Sequence, residues 1–119
     1  MKVFVYWNLT KGVWSVKALQ GPKRGLIMAH ATHVVLESCE FKVSEKQRQF
    51  VIKNKRKVVH AGVVGFLRKD AAFPVSENIK VTYNPYKYSS FVNKENTDQA
   101  VFKANVVEMK SDRSVIAYL

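Results

Sequence analysis

One stretch of this chain, Ser44 to Lys57 (SEKQRQFVIKNKRK), reads as a helix, while nearly everything else follows the two-residue alternation of β-strands. A chain with one helix and many short strands must build a sheet and fold it over a core. The helix start is written locally. Ser44 followed three places later by Gln47 predicts a capping box, the Ser44 hydroxyl accepting the Gln47 backbone N–H while the glutamine side chain answers the Ser44 N–H. Glu45 in the first turn and Lys53, Lys55, Arg56 and Lys57 at the far end suit the helix dipole. Only Phe50, Val51 and Ile52 are apolar, so about one turn is expected to dock on a core.

The strands follow from pattern and punctuation. Lys2 to Trp7 (KVFVYW) and Val13 to Leu19, separated by Asn8, Thr10 and Gly12, predict a hairpin. In its second strand Trp14, Val16 and Ala18 form the face expected in the core, opposite Val13, Ser15, Lys17 and Leu19. Gln20 to Gly25 (QGPKRG) is a turn cluster and an exposed basic tip. Leu26 to Val43 supplies one or two strands, with Cys39, Phe41 and Val43 facing one way and Ser38, Glu40 and Lys42 the other. Val58 to Leu67 (VVHAGVVGFL) is a strand whose Gly62 and Gly65 mark a bulge, a bend or a close backbone approach.

Arg68 to Asn78 is expected to be a loop and a mobile segment. Ile79 to Tyr83 resumes a strand, Asn84 and Pro85 interrupt it, and Tyr86 to Val92 continues it. Asn93 to Asp98 reads as a polar turn. Gln99 to Lys110 reads as one long strand, with Val101, Lys103 and Asn105 opposite Phe102, Ala104 and Val106. Ser114 to Leu119 closes a C-terminal hairpin. The expectation is an α+β domain, mostly antiparallel β, spanning 1–119: a small twisted sheet or open barrel of about seven or eight strands, with the helix capping one end.

Composition enters through charge. Apolar residues at 47% and charged ones at 24% describe a folded chain, yet the net charge is +11. Between Lys42 and Lys69 nine lysines and arginines face Glu45 alone, so +8 of that excess is concentrated there. Such a patch favours an anionic partner: nucleic acid, an acidic protein surface or an anionic membrane. The partner expected is nucleic acid, or an acidic or nucleic-acid-binding host protein. The single Cys39 excludes an internal disulfide. The start, MKVFVYWN, is too brief for a signal-peptide core or a membrane span, which points to the cytoplasm and away from a membrane partner.

Three constellations carry candidate chemistry. Lys46, Arg48, Lys53, Lys55, Arg56 and Lys57 reach phosphates and displace counterions, and Arg48 and Arg56 suit a bidentate grip. The same residues also fit a solvated helix face. In TYNPYKYSSF, Tyr83, Tyr86, Tyr88 and Phe91 alternate with Lys87 as in a stacking platform for single strands, or as half-buried strand residues. His30, His33, His60 and Cys39 make a poor metal set, because residues three apart on a strand face opposite sides; no metal or cofactor is expected. A metal-independent ribonuclease would take His60 as its general base, with lysine and tyrosine stabilising the phosphorane; a structural histidine is the plainer alternative. Phosphate loops, dinucleotide fingerprints and nucleophile elbows are absent from the sequence.

MKVFVYWNLTKGVWSVKAL, FKVSEKQRQFVIKNKRKVVHAGVVG and VTYNPYKYSSFV together resemble a family of small proteins of bacteriophages and prophages of Gram-negative bacteria. The resemblance implies a phage setting and carries no catalytic residues. It allows a non-catalytic accessory protein that binds nucleic acid, or an inhibitor of a host defence complex such as a CRISPR effector or a restriction enzyme. The leading expectation is nucleic-acid binding through the basic helix and the tyrosine segment.

Overall fold

A computed structural model describes residues 1–68 and 77–119. Most of the loop expected from Arg68 to Asn78 lies outside the described residues. Among the described residues, ten strands, β1 (Lys2–Asn8), β2 (Val13–Ala18), β3 (Ile27–Ala31), β4 (Val34–Val43), β5 (Ala61–Leu67), β6 (Asn78–Thr82), β7 (Val92–Asn93), β8 (Asn96–Ala100), β9 (Lys103–Met109) and β10 (Val115–Tyr118), join one helix, α1 (Glu45–Asn54). They form one antiparallel sheet in the order β3-β2-β1-β5-β4-β9-β10-β6-β7-β8. The sheet is open, with β3 and β8 at its edges.

The mostly antiparallel α+β class is as expected, and the described residues hold ten strands where about seven or eight were expected. The extra strands come from the C-terminal half. Tyr86 to Val92 is mostly turn, and the polar Asn93–Asp98 segment contains a tight β7–β8 hairpin. The expected long strand is broken at Val101 and Phe102: Val101 donates its N–H to the Phe91 carbonyl, while the Phe102 carbonyl accepts from Phe41. Backbone partners supplied by distant segments override the local alternation here.

The hairpin β1–β2 forms as predicted, with Trp7 opposite Trp14, and Trp14, Val16 and Ala18 are buried. Ser15, on the other face, is also fully buried, hydrogen-bonded to Asn8 Nδ2 at 3.2 Å and His30 Nδ1 at 3.0 Å. In β4 the core face changes partway along. Val34 and Leu36 point inward before Ser38, Cys39 and Phe41 after it, because Ser38 takes a left-handed φ of 51° and inserts a bulge. β9, in register with β4, makes the same change: Met109 and Val107 are core residues on one side of the kink and Ala104 on the other. Phe102, expected to share a face with Ala104, is 61% exposed and Val101 is buried instead, because the strand breaks before Lys103.

The two strand glycines match close approaches. A Cβ at Gly65 would stand 3.0 Å from the Glu37 carbonyl and 3.2 Å from Cys39 Sγ, beside the bulge. One at Gly62 would stand 2.5 Å from the Val5 carbonyl and 2.6 Å from the Phe4 ring. Gly62 therefore has no room for a side chain unless its surroundings shift, and at Gly65 one fits only if its neighbours give by a few tenths of an ångström.

The sheet rolls until its two limbs meet through side chains. The Trp14 indole N–H of β2 donates to the Lys110 carbonyl at the end of β9, 2.8 Å away and 96 residues along the chain. Val3, Val5 and Trp14 from one limb pack with Val81, Phe91 and Val115 from the other, around Leu36, Val107 and Met109. Side-chain packing thus brings together what backbone ladders leave open, a barrel-like arrangement without closure.

The helix is shorter than Ser44–Lys57. Ser44 caps it by accepting the Gln47 N–H, but its own N–H goes to the His60 carbonyl at 2.7 Å, so the reciprocal glutamine half of the expected capping box is replaced by a tertiary bond. Lys55 ends the helix in the left-handed region at φ 52°, and Arg56 and Lys57 lie beyond it. Of the three central apolar residues Val51 is buried, Ile52 partly so, and Phe50 is 41% exposed.

Candidate functional site

Where the two limbs face each other a groove of about 1310 Å³ opens to solvent. This exceeds the roughly 300–1,000 Å³ typical of sites that enclose small ligands. Its walls come from β1, the β1–β2 turn, the start of β5, β6, the Tyr83–Tyr86 turn and the β9–β10 turn, with the segment that leaves α1 along one side.

The groove is cationic. Lys55, Arg56 and Lys57 line it beyond the helix, Lys80 and Lys94 beside β6 and β7, and Lys110 and Arg113 at the β9–β10 turn. Lys80 and Lys94 are neighbours because the Lys94 N–H donates to the Lys80 carbonyl. Asp112 is the acid among the lining residues, and its carboxylate already accepts from the Ser114 N–H and hydroxyl. Those two bonds hold its pKa below the usual carboxylate value. Among the described residues, seven cationic residues thus line the groove with one acid, which is committed to its own turn.

Aromatic rings are interleaved with these charges. Tyr6, Trp7, Tyr83 and Tyr86 are among the lining residues, with the Tyr6 ring beside Phe4, 5.9 Å between centres. Trp7 packs edge-on against Trp14, ring centres 5.0 Å apart, and the Arg113 guanidinium lies over its ring at 5.9 Å. Tyr86 is 60% exposed on a turn fixed from several directions. The Tyr86 N–H donates to Asn84 Oδ1, the Lys87 and Tyr88 N–H groups to the Asn84 carbonyl, and Arg48 Nε to the Pro85 carbonyl at 2.9 Å.

His60 stands at the junction of these parts. Its Nδ1 lies 2.8 Å from the Val58 carbonyl, which only accepts, so Nδ1 carries a proton. In the neutral ring Nε2 then accepts the Tyr83 hydroxyl, also at 2.8 Å. Burial pushes the Tyr83 phenol up to about 12, which keeps it protonated as the donor. Inward, the Tyr83 ring meets Phe91 and Phe91 in turn meets Phe41, both pairs with centres 5.0 Å apart. Together with its carbonyl bond to Ser44, His60 ties the helix start, the post-helix segment and the tyrosine turn into one unit.

The sequence candidates divide accordingly. Lys55, Arg56, Lys57, His60 and Tyr86 share the groove. Lys46 and Lys53 are exposed on α1, and Lys87 and Tyr88 sit beyond the tip of the turn, all four outside the lining. Arg48 is a strut, its side chain 13% exposed and bonded to both Pro85 and Glu45. His30 rests on Ser15, His33 pairs with Glu108 at 2.8 Å, and Cys39 is buried, so the four residues considered for a metal are dispersed. Among the described residues, no group of three or more histidine, cysteine, aspartate or glutamate side chains is placed to hold a metal ion. Nor is any helix among them long and apolar enough to cross a membrane.

Sequence reasoning missed Tyr6, Trp7, Lys80, Lys94, Lys110 and Arg113 as site residues. One local signal was available: Lys110 and Arg113 bracket a short hairpin turn in which Arg113 takes a φ of 72°, at a place where glycine is usual.

Fold and groove together define a class: a basic, one-helix antiparallel β protein whose rolled sheet presents a cationic, aromatic-lined channel. Within it, the chain belongs to the family of the Mycobacterium phage L5 gene 82 protein, whose family profile matches residues 1–117. The gene 82 protein of Mycobacterium phage L5 is 36% identical, the similarity covering 77% of this chain and 77% of that protein. No solved structure matches the chain. A phage family is what the resemblance implied; the relative's phage is named for a mycobacterial rather than a Gram-negative host.

Proposed function

We propose that this protein binds nucleic acid in its groove, as a non-catalytic accessory protein of a phage. The observation that carries the reading is the seven-to-one ratio, among the described residues, of cationic to acidic residues lining one concave surface. Like charges held around a concavity repel one another, and a polyanion relieves that repulsion while releasing condensed counterions. Membership of a phage family is compatible with such a role. The engagement of His60 at both nitrogens favours a positioning role over that of a general base, whose acceptor nitrogen would need to be free.

The test is a fluorescence-anisotropy titration of purified protein with labelled oligonucleotides at 50 and 200 mM salt. Binding that weakens steeply with salt is expected. Absence of binding at 50 mM, or binding indifferent to salt, overturns the reading and leaves the inhibitor of a host protein as the explanation to pursue.

A further inference from the structure

Resting on that reading, we infer that the groove takes a single-stranded segment of nucleic acid, with an unpaired base stacked on Tyr86 and phosphates on the cations beside it. The first support is where the cations sit. Proteins that read duplexes insert a helix or a β-ribbon into the major groove. Here Lys55, Arg56 and Lys57 lie beyond the end of the helix, along one side of a recess. The second is the aromatic lining, since a stacked duplex hides the base faces that a tyrosine ring would contact, whereas a single strand offers them.

The third support is preorganisation. Tyr86 is left 60% exposed although Asn84 and Arg48 fix the turn that bears it. An exposed ring on a braced turn contributes little to the core and needs little reordering to receive a base. The fourth is backbone strain. Three non-glycine residues have positive φ among those described, and two of them, Lys55 and Arg113, are groove cations. Glycine would relieve either position, so a long cation at both points to a role for the side chain.

The experiment compares wild-type protein and Tyr86→Ala on three probes of equal phosphate number at 100 mM salt: a thymidine oligomer, the matching uridine oligomer and a blunt DNA hairpin. A 2-aminopurine placed within each strand reports stacking. The single strands are expected to bind at least tenfold more tightly than the hairpin, with 2-aminopurine quenched. Tyr86→Ala should weaken single-strand binding about 5- to 100-fold and leave hairpin binding unchanged. Hairpin binding as tight as single-strand binding, or an equal effect of Tyr86→Ala on both, overturns the inference while nucleic-acid binding stands. If no probe binds even at 50 mM, the proposed function itself fails. The two oligomers separately report whether DNA or RNA is preferred.

Discussion

Replacing Lys55 and Arg113 together by glycine separates the groove's chemistry from its scaffold. Both residues occupy left-handed backbone, at φ 52° and 72°, where a side chain costs about 1–2 kcal/mol. Glycine removes that strain but adds roughly 0.5–1 kcal/mol per site of unfolded-chain entropy, and at Arg113 it also deletes the contact with Trp7, about 0.5–1 kcal/mol. The terms nearly cancel, so stability should stay within about 1 kcal/mol of wild type, no more than about 6 °C in Tm. Binding should not. If all seven groove cations meet phosphates, the slope of log affinity against log salt is about −5 for a single strand; without two of them it is about −3.5. Between 50 and 200 mM salt, wild type then loses about a thousandfold in affinity and the double variant about a hundredfold. Urea unfolding and anisotropy titrations measure both quantities. Lys23→Gln with Arg24→Gln is the control, removing the same charge from an exposed turn outside the groove. A wild-type salt slope in Lys55→Gly/Arg113→Gly, or a matching change in the control, refutes the assignment of these two cations to the site.

Three further expectations concern the scaffold. Trp14→Ala should destabilise by about 3–5 kcal/mol, because it empties a site only 5% exposed and removes the N–H bond to Lys110 that joins the two limbs; a loss below about 1 kcal/mol in urea titration would disprove that joint. Gly62→Ala should cost about 1–3 kcal/mol, since its Cβ would meet the Val5 carbonyl backbone as well as the Phe4 ring, and Phe4→Leu in the same chain should recover only part of the loss. Burial raises the Cys39 thiol from 9.0 to about 12, so the fold favours the protonated form. Its stabilising contribution is complete below pH 9 and declines as pH rises towards 12, by up to about 4 kcal/mol as the unfolded chain ionises first. Denaturation midpoints measured between pH 8 and 11 should fall more steeply for wild type than for Cys39→Ala, and parallel profiles would contradict this.

What the sequence by itself determined was whatever depends on neighbours along the chain. The β1–β2 hairpin, the Ser44 cap, the inward face of Trp14, Val16 and Ala18, and the need for glycine in β5 all follow from short-range pattern and appear in the fold. So does the richness in cations around the helix. Tertiary structure decided which cations count, because charge in a sequence has no direction until the backbone turns. The left-handed exit at Lys55 carries Arg56 and Lys57 into the groove while Lys46 and Lys53 stay outside it on α1. Lys80, Lys94, Lys110 and Arg113 join them only because the sheet rolls and Trp14 reaches Lys110 across 96 residues. The kink at Ser38 shifts the faces of β4 and β9 together, an effect invisible to alternation counted along either strand alone. The groove is a product of long-range closure: its cations and aromatics converge because separate apolar strips share one core, and no local spacing encodes that meeting.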